Sequence, residues 1–280
     1  MDGLLFLDKE VGLTSRAVDN RIQKKLHEKK VGHLGTLDPF ASGLLILAVG
    51  KATKSLPYLE DEEKSYLAEI KLGYQSDTGD CTGVISGDGS YTSLDTVTID
   101  KALKSLLGKQ MQIPPMTSAI KVNGKPLYEL AHQGKVIERE PREIEVFSAE
   151  FISYQDDLLT VSFTVSKGTY IRTLGEELAK RLGTIGYLTN LRRTAVGTLS
   201  VGLAKKLDDL SENDLIDPAT LIPLKKIEVG ELEAKKAMNG MTLSFPNEAE
   251  EKILLLFQGK ALAVYHKKTA PLYEAERGLF

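Results

Sequence analysis

A stretch of twelve residues places a carboxylate and an imidazole in a loop of restricted shape. Residues 32–43 read Gly-His-Leu-Gly-Thr-Leu-Asp-Pro-Phe-Ala-Ser-Gly, so His33 stands five residues before Asp38. Pro39 biases Asp38 away from helical geometry, and the glycines permit backbone conformations and close approaches that other residues cannot adopt. A functional carboxylate would be held rigidly in such a loop. The alternative is an ordinary Asp-Pro turn before a strand.

A basic helix is predicted immediately before this loop. Within residues 15–30, apolar side chains recur at four-residue spacing from Val18, which is typical of one buried helix face. The opposite face carries Arg21 and Lys24. The sequence therefore predicts a helix with a positively charged surface next to the loop.

Apolar and alternating runs predict the strands of a sheet. Residues 44–49 are wholly apolar, which predicts a strand buried on both faces. Residues 64–72 alternate, with Tyr66 on the apolar side, and residues 144–154 and 158–165 predict a hairpin. Because strands occur in neighbouring groups as well as between helices, the pattern favours a mixed α+β fold over a doubly wound parallel sheet.

A strand-to-helix junction is predicted near the middle of the chain. Residues 166–172 pass from an alternating run into an amphipathic helical pattern and carry Tyr170 and Arg172. A further strand is predicted over residues 188–197, with paired arginines at 192 and 193. Side chains at such junctions often reach the active face of a sheet.

Composition limits the kinds of site that the chain can build. With 280 residues, 42% hydrophobic and 27% charged, it is typical of a globular protein. The single cysteine, Cys81, excludes an internal disulfide and a cysteine-rich zinc site, and the four scattered histidines do not predict a metal cluster. We find no amino-terminal signal pattern and no membrane-spanning run, and therefore expect a cytoplasmic protein without a metal.

The charge is unevenly distributed, although the formal net charge is only −3. Residues 16–30 and residues 167–193 each carry six Lys or Arg against two acids, whereas residues 55–100 carry ten acids against two lysines. Local positive patches rather than the total charge determine affinity for a polyanion. Both clusters can bind nucleic acid, or they can be solvated helix faces.

A boundary is predicted near Pro223. Residues 1–225 have the size of one catalytic domain, and residues 226–280 form a small carboxy-terminal module. We predict a helix over residues 226–238 at its start, followed by short strands. Lys/Arg and Asp/Glu are equal in number in this module, at eight each.

Several motifs together resemble the TruB family of tRNA pseudouridine synthases, which modify uridine 55 in the T loop. The resemblance runs through most of the chain in the order and spacing of its motifs, each of which alone is only modestly specific. The motifs are Gly32-His33-Leu34-Gly35-Thr36-Leu37-Asp38-Pro39, Lys64-Ser65-Tyr66, Pro114-Pro115 with Ser118-Ala119-Ile120-Lys121, Lys167-Gly168-Thr169-Tyr170-Ile171-Arg172, and Leu191-Arg192-Arg193-Thr194.

The resemblance implies the pseudouridine synthase fold, a mixed and largely antiparallel central sheet flanked by helices, with a small carboxy-terminal PUA-like RNA-binding module. It implies that Asp38 is the catalytic aspartate and that Arg172 pairs with it. Tyr66 would stack on the flipped base, and His33 would fill space beside the displaced bases of the T loop.

The remaining implied contacts are to the base, the ribose and the RNA backbone. Tyr170 and Leu191 match positions against the base and its ribose. The basic helix, with Arg21 and Lys24, and the pair Arg192 and Arg193 would meet phosphates. The family further implies a monomer that acts on the T arm of tRNA without a protein partner, cofactor or metal.

Each of these site residues could instead have an ordinary structural role. Without the family, Tyr66, Tyr170 and Leu191 are ordinary core positions, His33 is a turn residue, and Arg172 belongs to a surface ion pair. Three positions depart from the family pattern: Leu34, Thr117 and His132 stand where a small hydroxyl residue, Tyr and Arg are common. None is a proposed catalytic group, so the departures concern the hydrogen bonds of the loop and one RNA contact.

Two other functions fit parts of the sequence. An RNA-binding or tRNA-folding protein would use the basic patches but would not need Asp38, Tyr66 and Arg172 together. A hydrolase would need a second carboxylate beside Asp38, and none accompanies the loop. Asp77-Thr78-Gly79 is similar to the motif of aspartic proteases, but no second copy occurs.

Overall fold

The computed structural model describes residues 1–59, 63–118, 120–122, 124–135 and 137–280. Across these residues, no helix is both long enough and apolar enough to cross a membrane. The α-helices are α1 (Ser15–Lys25), α2 (Thr96–Ser105), α3 (Leu127–His132), α4 (Ile171–Arg181) and α5 (Glu231–Met238), and the longest 3-10 helix spans Gly50–Tyr58.

The strands vary from two-residue pairs to long strands that form the sheets. In chain order they are β1 (Gly3–Lys9), β2 (Val31–Leu34), β3 (Ser42–Val49), β4 (Lys64–Leu72), β5 (Gln75–Ser76), β6 (Ile85–Ser86), β7 (Gly108–Gln112), β8 (Lys121–Val122), β9 (Lys125–Pro126), β10 (Arg142–Gln155), β11 (Leu158–Val165), β12 (Gly186–Val196), β13 (Leu199–Ser200), β14 (Lys225–Glu228), β15 (Leu243–Ser244), β16 (Lys252–Phe257), β17 (Lys260–Thr269) and β18 (Leu272–Gly278).

The chain forms two compact units. The first unit comprises Met1–Asp38, Leu45–Asp61 and Gly202–Phe280, and the second unit comprises Pro39–Leu44 and Glu62–Val201. The boundary predicted between residues 225 and 226 divides the chain at a single point, whereas each compact unit is made of several segments. That boundary stays a prediction.

An antiparallel sheet forms the second unit. Its strands lie in the order β12-β4-β11-β10-β7, and every neighbouring pair is antiparallel. The predicted hairpin is confirmed, since Gln155 of β10 pairs with Leu158 of β11. In β4, buried and half-buried residues alternate as predicted, and Tyr66 lies on the buried side. These strands are the antiparallel part of the mixed, largely antiparallel sheet that the resemblance implied, and β3 adds a parallel pairing to β12.

Helix α4 covers one face of this sheet. Its buried stripe includes Leu174 and Leu178, as the apolar spacing predicted. Gly175 lets the helix approach closely, because a Cβ at this position would lie 3.0 Å from Leu188 and 3.5 Å from Ile70. The close packing holds the first turn of α4, which carries Arg172, in a fixed position over the sheet.

The start of β3 also belongs to the second unit. Ser42 and Gly43 pair in parallel with Arg192 and Arg193 of β12. Gly43 has a φ of +103°, and a Cβ there would lie 2.2 Å from the carbonyl oxygen of Arg193. Only glycine can adopt this conformation so close to another backbone, so the last glycine of the motif loop is a structural requirement.

In the first unit, β3 lies between β1 and β2, and β2 pairs with it in antiparallel fashion from Val31 to Leu34. All residues of β3 from 43 to 49 are buried, which confirms the prediction from the apolar run. Helix α1 begins after Thr14, whose hydroxyl oxygen accepts a hydrogen bond from the amide of Ala17 at 3.0 Å.

A second sheet in the first unit has the order β14-β16-β17-β18-β15. Helix α5 contributes Ala234 and Ala237 to the core of this sheet, which also contains Tyr265 and Tyr273. This small sheet corresponds to the PUA-like module expected at the carboxy-terminal end.

Two predicted helices are shorter than expected. Helix α1 ends at Lys25 rather than at residue 30, because His27 adopts a φ of +51°, which no helix accommodates. The helix predicted over residues 226–238 begins only at Glu231, because Lys225–Glu228 form β14 and pair in parallel with β16. Tertiary pairing overrides the local preference in this segment.

Candidate active site

The motif loop joins β2 to β3, and Asp38 is half-buried within it. The residue before it is fixed from both sides by the buried hydroxyl of Ser15. That hydroxyl accepts a hydrogen bond from the amide of Leu37 at 2.9 Å and lies 3.2 Å from the carbonyl oxygen of Leu37, to which it donates. Helix α1 therefore holds the backbone directly next to the carboxylate.

The same helix also holds His33. Asp19 lies one turn after Ser15, and its Oδ2 is 2.9 Å from Nδ1 of His33. The other ring nitrogen, Nε2, is 3.1 Å from the hydroxyl of Thr36. The side chain of Asp19 is 2% exposed and that of His33 is 17% exposed. His33 is thus a fixed ring rather than a free turn residue.

In the second unit, the guanidinium of Arg172 is buried and held by several acceptors. Nη1 donates to the carbonyl oxygen of Thr78 at 3.0 Å, and Nη2 donates to the carbonyl oxygen of Thr117 at 2.9 Å. Nη1 also donates to the hydroxyl of Thr117 and lies 3.3 Å from the carboxylate of Asp80. Arg172 is not the residue of a surface ion pair, because only 3% of it is exposed.

Asp80 is itself fixed by its loop. Its Oδ1 accepts hydrogen bonds from the hydroxyl of Thr78 at 3.0 Å and from the amide of Thr82 at 2.9 Å, which leaves Oδ2 for Arg172. The donors on Oδ1 and the guanidinium beside Oδ2 hold this buried carboxylate from both sides. The arrangement fixes the plane of the guanidinium.

Sequence reasoning missed Asp80, although it noted the neighbouring Asp77-Thr78-Gly79 motif. The only local signal is a run of acid and threonine residues, Asp77-Thr78-Gly79-Asp80. Its meaning depends on Arg172, which lies 92 positions away in the sequence. No local pattern contains this pairing.

Tyr170 is positioned through its backbone. It precedes the first residue of α4 and makes no side-chain capping bond of its own. The side-chain amide of Gln112 holds the backbone of Tyr170, because its Oε1 accepts from the amide of Tyr170 at 2.8 Å and its Nε2 donates to the carbonyl oxygen of Tyr170 at 3.1 Å. Gln112 was not identified from the sequence.

Tyr66 and Leu191 lie on the same side of the sheet. In register, Tyr66 of β4 faces Arg193 of β12, and Ala68 faces Leu191. Tyr66 is 7% exposed and Leu191 is 5% exposed. Both residues are therefore part of a packed sheet face, and their contact with a base stays a prediction.

The four basic residues proposed for the RNA backbone differ in exposure. Arg21 and Lys24 are exposed on α1, and Arg192 is half-buried, with Nη1 3.5 Å from the hydroxyl of Ser42. Arg193 is only 1% exposed, and its Nε donates to the carbonyl oxygen of Leu44 at 2.7 Å. The structure does not support the predicted phosphate contact of Arg193, because its guanidinium is enclosed by the protein.

The described residues contain no group of three or more His, Cys, Asp or Glu side chains that could hold a metal ion. The expected absence of a metal or cofactor from the reaction stays a prediction.

The sequence was compared with models of known protein families. The profile described as TruB family pseudouridylate synthase (N terminal domain) matches residues 23–171, more than half of the chain. This chain belongs to the TruB family. The matched region includes the motif loop, β4, Asp80 and the first residue of α4.

Relatives named tRNA pseudouridine synthase B match between three quarters and nearly all of the chain. A protein named tRNA pseudouridine synthase B from Geotalea uraniireducens is 38% identical over 94% of this chain and 91% of its own length. The protein of the same name from Bacillus pumilus is 39% identical over 95% of this chain and 93% of its own. The Geobacter sulfurreducens protein is 45% identical over 76% of this chain and 70% of its own.

Solved structures show the same fold at lower sequence identity. A chain from a crystal structure of a Cbf5-Nop10-Gar1 complex is 22% identical, with a TM-score of 0.75 over 99% of this chain and 85% of that one. A chain from the archaeal box H/ACA sRNP Nop10-Cbf5 complex is 20% identical, with a TM-score of 0.73 over 99% and 86%. The pseudouridine synthase fold implied by the motifs is therefore confirmed.

The structure explains two of the three departures from the TruB pattern. Leu34 is 3% exposed and belongs to the apolar core, so it takes no part in the polar contacts of the loop. Thr117 holds Arg172 through both its hydroxyl and its carbonyl oxygen. The side chain of His132 lies outside the described part of the structure, as does Ala119.

Proposed function

We propose that this protein isomerises uridine in tRNA to pseudouridine, and that its target is uridine 55 in the T loop. The observation that carries the proposal is the match, over more than nine-tenths of the chain, to relatives named tRNA pseudouridine synthase B. The buried cluster around Arg172 supports an enzyme over a protein that only binds RNA. A protein that only binds RNA would gain little from a cation that is buried and held by several acceptors, because its desolvation is costly.

The reaction exchanges one glycosidic bond for another. The bond between N1 of uracil and C1′ of the ribose breaks, and a bond between C5 and C1′ forms. The proton on C5 is lost, and N1 gains one, so the product is an isomer of the substrate. No oxidant, reductant or energy source is required by this balance.

Asp38 is the proposed catalytic carboxylate. A carboxylate can divide a difficult displacement into two easier ones by forming a covalent intermediate, either at the sugar or at the base. Its position next to Leu37, whose backbone Ser15 fixes, suits a group that must approach one atom of the substrate. The pairing of Arg172 with this carboxylate, implied by the resemblance, is part of the proposal.

The base must leave the T loop before it can react, because a stacked base is inaccessible. We assign Tyr66 to stacking on the flipped uracil, and Tyr170 and Leu191 to contacts with the base and ribose. His33 would occupy space beside the displaced bases. Arg21, Lys24 and Arg192 would contact phosphates, which position an RNA without reading its sequence.

The expected site of action is the cytoplasm, with the protein acting as a monomer on the T arm. The carboxy-terminal sheet, whose charges balance, is the expected PUA-like RNA-binding module.

The test uses a tRNA transcript labelled with tritium at C5 of uracil. Isomerisation releases one tritium to water for each uridine converted, so the protein should release label in proportion to time and enzyme. A second transcript with cytidine in place of uridine 55 should release none. If no label were released from the first transcript, the proposal that the protein is a pseudouridine synthase would be overturned. Equal release from both transcripts would overturn the assignment of uridine 55 as the target.

A further inference from the structure

We infer that Asp19 is a positioning residue for RNA binding, because it fixes the orientation and the tautomer of His33. His33 then meets the tRNA through Nε2, as an acceptor of a hydrogen bond. The inference rests on the proposed function, since it concerns how the same site holds its RNA.

The geometry determines which ring nitrogen carries the hydrogen. A carboxylate only accepts hydrogen bonds, and Oδ2 of Asp19 lies 2.9 Å from Nδ1 of His33. Nδ1 therefore carries a hydrogen and donates it. In a neutral imidazole the other nitrogen is then an acceptor, and Nε2 lies 3.1 Å from the hydroxyl of Thr36, which can donate to it.

Asp19 contributes little to the stability of the fold. It occupies the buried face of α1 beside Val18 and Ile22. Its Oδ1 is buried and has no hydrogen-bond partner among the described residues, a situation that costs free energy. Arg16 is 3.7 Å from Oδ2 but 70% exposed, so it compensates little. A buried acid that stabilises the fold so poorly is better explained by function.

The tautomer defines the chemistry of the RNA group that His33 recognises. An RNA group that takes the place of the Thr36 hydroxyl must donate to Nε2, so it is a base N–H or a ribose 2′-hydroxyl. Phosphate oxygens only accept and are excluded as partners of this nitrogen. The exposed face of α1, with Arg21 and Lys24, remains available for phosphates.

The tautomer can be observed without RNA or turnover. Long-range proton–nitrogen spectra distinguish a protonated ring nitrogen from a bare one, and His33→Ala assigns the signal of His33 among the four histidines. We expect a hydrogen on Nδ1 and a bare Nε2 in the wild type, and loss of this preference in Asp19→Leu. A hydrogen on Nε2 in the wild-type protein would overturn the inference.

A double-mutant cycle tests whether Asp19 acts through His33. The Kd and KM for tRNA should rise about tenfold in Asp19→Leu, the effect of losing the hydrogen bond between the RNA and Nε2 of His33, while kcat stays within about twofold. In the His33→Ala background, Asp19→Leu should change Kd by less than about twofold. Equal effects in both backgrounds would show that Asp19 acts independently of His33.

Stability separates positioning from a merely structural role. Because Leu suits the buried helix face, Asp19→Leu should unfold at the wild-type temperature or above while it binds tRNA more weakly. If Asp19→Leu lowered the unfolding temperature as well as the affinity for tRNA, the inference would be contradicted. Asp19→Asn keeps an acceptor for Nδ1 and should therefore retain the wild-type Kd within about threefold. This variant provides the test if Asp19→Leu does not fold.

The two proposals fail in different ways. If the wild-type protein bound tRNA but released no tritium, the proposed function would fail, while the cycle on Kd would still support or overturn the role of Asp19. If label were released and the Asp19 variants bound as the wild type does, only the present inference would fail.

Discussion

The guanidinium of Arg172 lies 3.3 Å from the carboxylate of Asp80, and only 4% and 5% of the two side chains are exposed. Arg172 stands in the first turn of α4, and Asp80 lies in the loop after β5. The ion pair and the carbonyl oxygens of Thr78 and Thr117 together hold the planar group from several directions. The proposed partner of the catalytic aspartate is thereby fixed before RNA binds.

Asp80→Asn should destabilise the protein and slow the reaction. The substitution breaks the buried ion pair between Asp80 and Arg172, which typically costs about 3 kcal/mol. Thermal or denaturant unfolding measures the loss. The matched control is Glu143→Gln, which removes the exposed pair with Lys109 at 3.3 Å and should change stability by less than about 0.5 kcal/mol. Equal stability of the two variants would contradict the importance of the buried pair.

Arg172→Lys should lower kcat by about 100-fold with a small change in tRNA binding, because a lysine keeps the charge but lacks the planar fork that several acceptors fix. Single-turnover tritium release together with filter binding separates the two effects. Arg181→Lys, at the other end of α4, is the control and should react at the wild-type rate. If Arg172→Lys were as active as the wild type, Arg172 would have no role in orienting the reaction.

Tyr66→Leu should lower the single-turnover rate by about tenfold or more, because the flipped base would lose its stacking partner. Stacking of one base on an aromatic ring is worth about 1–3 kcal/mol. Tyr66→Phe keeps the ring and should retain most of that effect. The ratio of the two variants in single-turnover rate measures the stacking. Unfolding curves for both check that the packed face of β4 survives, and equal rates for Phe and Leu would rule out stacking.

Much of the fold was predictable from local patterns. Residues 64–72 and 158–165 alternate so regularly that their strands and their buried faces follow from the sequence. The apolar run over residues 44–49 becomes a buried strand. These segments satisfy local preference and tertiary packing at once. Lys225–Glu228 does not, because its strand exists only through pairing with β16.

The candidate site was predictable only in part, and largely through resemblance to a family. Asp38, Tyr66 and Arg172 were identified by their motifs. The residues that position Arg172 and Tyr170 were not, since Asp80 and Gln112 act on partners that are distant in sequence. Arg193 shows the opposite error, because a charged residue in a basic motif is buried in the sheet.

Gly43→Ala should destabilise the second unit by more than about 2 kcal/mol, because the new Cβ would meet the backbone of Arg193 and the φ of +103° is strained for alanine. Gly108→Ala is the matched control. Its φ is +91°, but no atom lies within 4 Å of the added Cβ. Only backbone strain of about 1 kcal/mol is expected there. Unfolding free energies that do not differ between the two would contradict the close approach at Gly43.

The most direct test of the proposed function is tritium release by Asp38→Asn. Asparagine has the size of aspartate but lacks the negative charge and cannot act as the nucleophile. We expect this variant to bind the labelled tRNA as the wild type does and to release no label above background. Release at the wild-type rate would contradict the assignment of Asp38 as the catalytic carboxylate.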